Sequence, residues 1–192
     1  QDIIKGFEDS TASNPSTNMP SGWTRNNNGG ASWNYGQISG NTGPSDEPSF
    51  PYLMATNLNG AYGASANDIL TGPTYSLPAN SSASLVLDHW ACTEAPYDGA
   101  YIQIKINNGN WNHFDPGGFY THISTWGPFS GTNTPVFGQV KCTGQGASYT
   151  VTDTTFDHAV ADLSQYAGDD VRFRYRLQSD IIWHYGGWYI DN

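Results

Sequence analysis

The stretch VRFRYRLQ at residues 171–178 constrains the fold more than any other part of the sequence. Its alternate apolar positions are Val171, Phe173, Tyr175 and Leu177. Between them lie Arg172, Arg174 and Arg176. Alternation with a period of two is typical of a β-strand with one face in a core and the other face in solvent. The pattern predicts that the three arginines lie on the outer face of a sheet.

Two further segments show the same alternation, SLVLDHW at residues 84–90 and YIQIKI at residues 101–106. Turn-forming clusters such as NNNGG, PANSS and YAGDD separate the alternating runs, and no stretch keeps apolar residues at helical spacing for long. Many short antiparallel strands joined by such turns predict an all-β fold, an antiparallel β-sandwich of the jelly-roll type without long helices.

The length of 192 residues fits a single domain, and we find no internal repeat or linker. The sequence therefore predicts one β-sandwich domain over residues 1–192. Residues 112–150 are rich in Gly, Thr and aromatic side chains and alternate only weakly. They predict a long, loop-rich insert, and such regions often carry function.

Charge narrows the range of partners. Seven Lys and Arg face 17 Asp and Glu, which gives a formal net charge of −10. That balance argues against binding nucleic acid through its phosphates, which requires a basic surface. It is compatible with calcium and with neutral sugars. No run of 18 apolar residues exists, so the sequence predicts no membrane insertion.

The chain contains two cysteines, Cys92 and Cys142. The composition is typical of a secreted, extracellular or cell-surface protein, and in such a compartment the two would form a disulfide. The alternative is a pair of buried free thiols in a reducing compartment.

The order of local motifs resembles a known family. GFEDS and PSGW open the chain, LVLDHWACTEAPYDGAYIQIKINNGNW lies in its middle, and GGWYIDN ends it. This order is similar to that of the MAM-like jelly-roll modules of secreted bacterial hydrolases, including metallopeptidases of the immune-inhibitor-A type. It resembles more loosely the calcium-bearing carbohydrate-binding modules. The resemblance implies a galactose-binding-like sandwich with a non-catalytic role, although the cysteine pair and the 112–150 insert depart from it.

Acidic residues near the two chain ends predict a calcium site. The first and last strands of a jelly roll are often neighbours, which would bring Glu8 and Asp9 close to Asp191. Close carboxylates repel one another unless a cation neutralises them, and Ca²⁺ binds six to eight oxygen atoms. The resemblance also implies a structural calcium near this junction. Asp68, in the stretch ANDIL, is a candidate further ligand. The alternative is that these acids are solvated residues at strand ends.

A second group of acids, Glu94, Asp98 and Asp180, also lies at predicted strand ends and could form a second cation site. Asp98-Gly99 could instead be simple turn chemistry. The arginine row has two interpretations as well. It could bind an anionic sugar or another carboxylate, or it could be a solvated sheet face whose charges neighbouring acids neutralise.

Aromatic residues in turn-rich segments predict a ligand contact, because sugar rings stack on flat aromatic side chains. The candidates are Trp33, Tyr35, Trp111, Trp126, Trp183 and Tyr185. The alternative is burial, since a sandwich core needs large side chains. We expect Trp23, Trp90 and Trp188 to belong to that core.

No pattern predicts catalysis. The sequence contains no HExxH, no Cys-x-x-Cys and no Gly-x-Ser-x-Gly motif. The leading prediction is a non-catalytic extracellular binding module for a glycan or protein surface, stabilised by structural calcium. A self-assembling structural or adhesive subunit is the second interpretation, and a hydrolase with an unrecognised acid pair is the third.

Overall fold

The structure, a computed structural model, describes residues 19–26, 33–40, 42–45, 48–49, 51–115, 117–138, 140–144 and 148–191. The strands are β1 (Thr24–Asn26), β2 (Asn34–Gly36), β3 (Leu53–Ala55), β4 (Asn67–Ser76), β5 (Ser84–Cys92), β6 (Gly99–Ile106), β7 (Trp111–His113), β8 (His122–Ser124), β9 (Thr134–Val136), β10 (Cys142–Thr143), β11 (Thr150–Val151), β12 (Asp157–Asp162), β13 (Asp170–Gln178) and β14 (Gly187–Asp191). Short 3₁₀ turns lie at Gly127–Phe129 and Ser164–Tyr166. Within the same residues no helix is long and apolar enough to cross a membrane.

Two five-stranded antiparallel sheets form a sandwich, which confirms the predicted fold class. The first sheet has the order β1-β4-β13-β6-β7, and the second has the order β12-β5-β14-β3-β2. Aromatic side chains from both sheets meet between them. The ring of Trp188 on β14 lies 5.7 Å from that of Tyr175 on β13 and 5.7 Å from that of Trp33.

The central strand β13 has the alternation that its sequence predicts. Its apolar side chains are buried, and its arginines are partly exposed on the opposite face. β13 pairs with β4 on one side and with β6 on the other. The arginine row therefore runs down the middle of the first sheet.

The middle of the second sheet is buried on both faces. Trp90 and Tyr189 point away from the core side of the sheet, yet neither is exposed to solvent. Other parts of the chain cover them. The indole Nε1 of Trp90 donates to the carbonyl of Asp153 at 2.7 Å, and a Cβ on Gly43 would lie 2.5 Å from the Tyr189 ring.

The segment 112–150 is more than a loop-rich insert. It contains strands in two small two-stranded sheets, β8-β9 and β10-β11. It also contributes Phe137 to the core, where this fully buried ring lies 5.3 Å from that of Trp188. The predicted disulfide is present, because Cys92 at the end of β5 is bonded to Cys142 in β10. This bond attaches the segment to the second sheet.

Candidate functional site

Two crossovers of the chain lie side by side at one end of the sandwich. One connects β5 to β6, and the other connects β13 to β14. Strand pairing fixes their ends, because Gly99 is opposite Gln178 in the first sheet and Cys92 is opposite Gly187 in the second. Both crossovers therefore pass between the two sheets at the same end of the molecule.

Three carboxyl groups converge on these crossovers. Glu94 and Asp98 lie on the first crossover and Asp180 lies on the second, and one oxygen from each lies within 4.8 Å of the other two. The Asp98 carboxylate accepts hydrogen bonds from the Tyr62 hydroxyl at 2.6 Å and from the backbone N–H of Asp180 at 2.7 Å. We call Glu94, Asp98 and Asp180 the acid cluster. The structure thus brings together the acids of the predicted second cation site, and the binding of a cation there stays a prediction.

The acid cluster is costly to ionise. Burial raises the pKa of Asp98 to about 7, and the charges of Asp180 and Glu94 add to the increase although hydrogen bonds to the carboxylate oppose it. Burial also raises the pKa of Glu94 to about 6, with a further contribution from the charge of Asp180. A nearby cation would remove both penalties, because it favours the charged form of each carboxyl group.

Glu94 provides a second observation that points to a ligand. Its side chain is only 6% exposed, and its Oε2 has no hydrogen-bond partner among the described residues. A buried carboxylate oxygen without a donor is unfavourable unless a proton, a water molecule or a cation meets it. Carboxylate oxygens are preferred ligands of Ca²⁺. The donor set of the acid cluster therefore fits a hard divalent cation.

Exposed apolar side chains lie on the same end of the sandwich. They are Tyr97, Ile123, Trp126, Ile181, Ile182 and Trp183, which we call the apolar rim. Ile181 is 73% exposed and Trp126 is 58% exposed. The backbone N–H of Trp126 donates to the carbonyl of Pro96, and a Cβ on Gly127 would lie 3.0 Å from the Cβ of Asp180. The turn that carries Trp126 therefore packs directly on both crossovers.

Sequence reasoning found only part of the apolar rim. It selected Trp126 and Trp183 as candidate ligand contacts but not Ile181 or Ile182. A signal was available, because the triplet Ile181-Ile182-Trp183 directly follows a strand-ending aspartate. Exposed loops normally carry polar residues at such a position, and a run of apolar residues there indicates function.

The calcium site predicted at the chain ends is only partly visible. Glu8 and Asp9 lie outside the described residues. Asp191 is fully buried and accepts hydrogen bonds from the backbone N–H of Ser49 at 2.7 Å and from its hydroxyl at 2.8 Å. Asp68 is also fully buried, on β4. The proposed ligand set of Glu8, Asp9, Asp68 and Asp191 stays a prediction.

Three of the aromatic residues selected as ligand contacts are in the wrong environment for that role. Trp33 and Tyr35 have no exposed surface, and Tyr185 has almost none. The prediction is therefore wrong for these three, because a side chain enclosed by the core cannot stack on a ligand. Trp111 is partly exposed on the arginine side of the first sheet, under the guanidinium of Arg174 at 4.6 Å.

The described residues form an all-β sandwich with acidic and apolar side chains at one end. Comparisons with known proteins show what the chain is similar to. No protein-family model matches the chain, so its resemblance to MAM-like modules stays a prediction. The chain is 29% identical over 176 residues to Bacillopeptidase F of Bacillus subtilis (strain 168). The match covers 90% of this chain and 10% of that protein, so the chain spans about a tenth of its relative's length. An adhesin domain of Lys-gingipain from Porphyromonas gingivalis is similar in structure, with a TM-score of 0.44 and 16% identity over 92% of this chain and 90% of that one.

Proposed function

We propose that this chain is a non-catalytic binding domain of a longer extracellular protein and that it contacts its target with the apolar rim. The observation that carries the proposal is the exposure of six apolar side chains beside three buried or partly buried carboxyl groups. Soluble proteins rarely expose contiguous apolar surface without a partner for it. The similarity to a stretch of Bacillopeptidase F supports a place beside a peptidase, as an accessory domain that brings the enzyme to a surface.

The acid cluster supports a structural role for Ca²⁺ in this end of the molecule. A cation held by Glu94, Asp98 and Asp180 would join the two crossovers that carry Tyr97 and Trp183. It would thereby fix the position of the apolar rim before a target arrives, which lowers the entropic cost of binding. The calcium site predicted at the chain ends, with Glu8, Asp9, Asp68 and Asp191, would add a second structural ion.

The geometry of the acid cluster favours binding over catalysis. Asp98 has no exposed surface, and both its carboxylate oxygens accept hydrogen bonds from the protein. A general acid or base must come within hydrogen-bond reach of the proton that it transfers. Asp98 cannot approach a substrate in this arrangement, so its raised pKa supports a cation site rather than an acid pair for hydrolysis.

The cation is tested by thermal unfolding of the wild type and of Glu94→Gln in EDTA and in calcium. Glutamine keeps the shape of the side chain and removes its charge. We expect each bound calcium ion to stabilise the wild type by about 2.7 kcal/mol at a hundredfold excess over its Kd, and Glu94→Gln to lose the contribution of the acid cluster. In EDTA the variant should be the more stable protein, because mutual repulsion in the acid cluster is reduced. Asp115→Asn, which removes an exposed charge elsewhere, should respond to calcium as the wild type does.

The pH dependence has a defined sign. Because the folded pKa values of Glu94 and Asp98 lie above their unfolded values, the apo domain should lose stability as the pH rises from about 4 to about 7. Calcium should therefore stabilise more at about pH 8 than at about pH 5, where protons compete with the ion. A calcium response that is equal at both pH values would argue against these ligands.

Target binding by the apolar rim is tested by measuring how much of the domain is retained on immobilised collagen and fibronectin and on insoluble chitin and cellulose, with calcium present. We expect retention on at least one matrix and its loss in Trp126→Ala and Ile182→Ser, since exposed anchors of this kind carry about 2 kcal/mol or more of binding energy. Thr143→Ser, in the exposed part of β10, is the matched control. Loss on chitin or cellulose alone would identify a glycan ligand, and loss on collagen or fibronectin alone would identify a protein ligand. Full retention of both rim variants on every matrix that holds the wild type would contradict the proposal.

Self-association is the second candidate function, and the same apolar rim favours it. A patch that includes Ile181, Ile182 and Trp183 could be covered by a second copy of the chain. Sedimentation velocity over a wide concentration range separates the two functions. A dimer that disappears in Ile182→Ser would favour self-association. A wild type that is monomeric at every concentration would favour binding to another molecule.

A further inference from the structure

The outer face of the first sheet concentrates positive charge in an otherwise acidic chain. Four of the seven Lys and Arg residues lie there, namely Arg172, Arg174 and Arg176 on β13 and Lys105, which is opposite Arg172 on β6. Side chains at paired positions of neighbouring strands lie on the same face of a sheet. We call these four residues the arginine face.

The hydrogen bonds of the arginine face go to uncharged acceptors. The Nε of Arg172 donates to the backbone carbonyl of Gly72 at 2.7 Å. The Nε of Arg174 donates to Oε1 of Gln103 at 2.7 Å. The Nε and Nη2 of Arg176 both donate to Oδ1 of Asn67, at 2.9 and 2.7 Å. Within the described ranges none of these three guanidinium groups pairs with a carboxylate. The sequence left open that neighbouring acids neutralise the row, and that arrangement is not found in this part of the chain. Each guanidinium has five N–H groups, so several remain for a ligand.

An open depression of about 370 Å³ adjoins the arginine face. Its lining residues are Tyr101, Gln103, His113, Asn133, Thr134 and Pro135. Arg174 hydrogen-bonds to Gln103, and Arg176 lies over the ring of Tyr101 at 5.9 Å. The charged row therefore borders a depression whose lining combines aromatic surface with amide, hydroxyl and imidazole groups.

We propose that the arginine face and this depression bind a carboxylate-bearing sugar unit of an acidic polysaccharide. Arg174 and Arg176 provide planar sets of N–H donors that match a carboxylate in bidentate geometry. Asn133, Thr134 and His113 offer donors and acceptors for sugar hydroxyls.

Calorimetric titration with an oligogalacturonate in EDTA tests the proposal. The chelator removes calcium, so binding at the arginine face is measured separately from the acid cluster and does not depend on it. The methyl-esterified oligosaccharide is the matched ligand control, because it keeps the sugar and removes the charge. We expect binding of the free acid and none of the ester.

The double variant Arg174→Gln and Arg176→Gln should lower the affinity about tenfold or more, since a hydrogen bond to a charged group contributes more than a neutral one. Thr143→Glu with Gln165→Glu changes the net charge by the same amount on other surfaces, and its affinity should change far less. If the double variant fails to fold, Arg174→Lys keeps the charge without the planar fork and should still weaken binding.

Three results would overturn the proposal. They are equal binding of the esterified and free oligosaccharides, an affinity that both arginine substitutions leave unchanged, and tighter binding of a sulfated oligosaccharide or a single-stranded DNA oligonucleotide than of the oligogalacturonate. The last result would assign the face to sulfate groups or to nucleic acid instead.

Discussion

The outer faces of the two sheets differ in what lies on them. On the first sheet, β13 alternates between buried apolar residues and partly exposed arginines. On the second sheet, every residue of β14 from Gly187 to Asp191 is buried. The first outer face is partly open to solvent, whereas other segments of the same chain cover the middle of the second.

This difference shows what hydrophobic alternation measures. Alternation in a strand records that one face meets water, so it is clear on β13 and absent where a strand is enclosed on both sides. The cover of the second sheet is attached by specific bonds. Cys142 forms the disulfide to Cys92, and the amino group of Lys141 forms ion pairs with Asp153 and Asp157 at 2.8 Å each.

The largest expected effect on stability is the difference between replacing a tryptophan on the covered outer face and replacing one on the open outer face. Trp90→Ala on the covered face should lower the free energy of unfolding by about 4 kcal/mol, because the loss of a large buried ring leaves a cavity. Trp111→Ala on the open face should cost about 1 kcal/mol or less, since the ring is partly exposed and contacts Arg174. Denaturant unfolding measures both. Similar costs for the two would show that the faces do not differ in this way.

Removal of the disulfide should partly uncover the second sheet. The bond closes a loop across a sequence separation of 50 residues, and Cys92→Ser with Cys142→Ser should destabilise the domain by about 3 kcal/mol. Hydrogen exchange should increase at β10 and β14 more than at β13. Uniform exchange across both sheets would instead indicate that the cover is held mainly by packing.

A smaller effect is expected from the buried lysine. Lys141→Met keeps the apolar stem of the side chain and removes the positive charge that pairs with two half-exposed carboxylates. It should destabilise the domain by about 1 to 2 kcal/mol, which is less than the cost of breaking a fully buried ion pair. His158→Gln breaks the exposed pair with Asp88 on the same sheet and should cost no more than about 0.5 kcal/mol. Lys141 holds the pKa of Asp153 below its usual range, so this contribution should decline as the pH falls below the unfolded pKa. If the destabilisation by Lys141→Met did not change as the pH falls, the assignment of Asp153 and Asp157 as its partners would be contradicted.

The smallest effect is expected on the open face. Arg172→Gln removes a partly exposed guanidinium that hydrogen-bonds to a backbone carbonyl, and it should change stability by only about 0.5 kcal/mol. Equilibrium unfolding of this variant beside Lys141→Met measures the contrast. A loss as large as that of Lys141→Met would mean that the arginine face has a structural role rather than one in binding.

The sequence predicted those parts of the molecule in which local pattern and burial agree. The alternation in β13, the exposure of its arginines and the disulfide were all predictable, because each depends on a short pattern or on a pair of residues. Trp33 and Tyr35 were misassigned for the opposite reason. They lie in a turn-rich stretch that indicates exposure, but the packing of both sheets around them decides their burial.

The acid cluster shows the same limit of prediction from sequence. The sequence placed Glu94, Asp98 and Asp180 at strand ends but contains no information on which strand ends are neighbours. The antiparallel register of β6 with β13 and of β5 with β14 brings the two crossovers together.

By itself, the sequence determined that this chain is an acidic, all-β domain with a basic strand and a pair of cysteines able to bond. Those properties follow from composition and from the two-residue period of a strand, which local chemistry enforces. Only the tertiary structure decided which faces are covered, which acids meet and which tryptophans remain exposed. These depend on contacts between residues far apart in the sequence, and such contacts form only when both sheets have closed around one core.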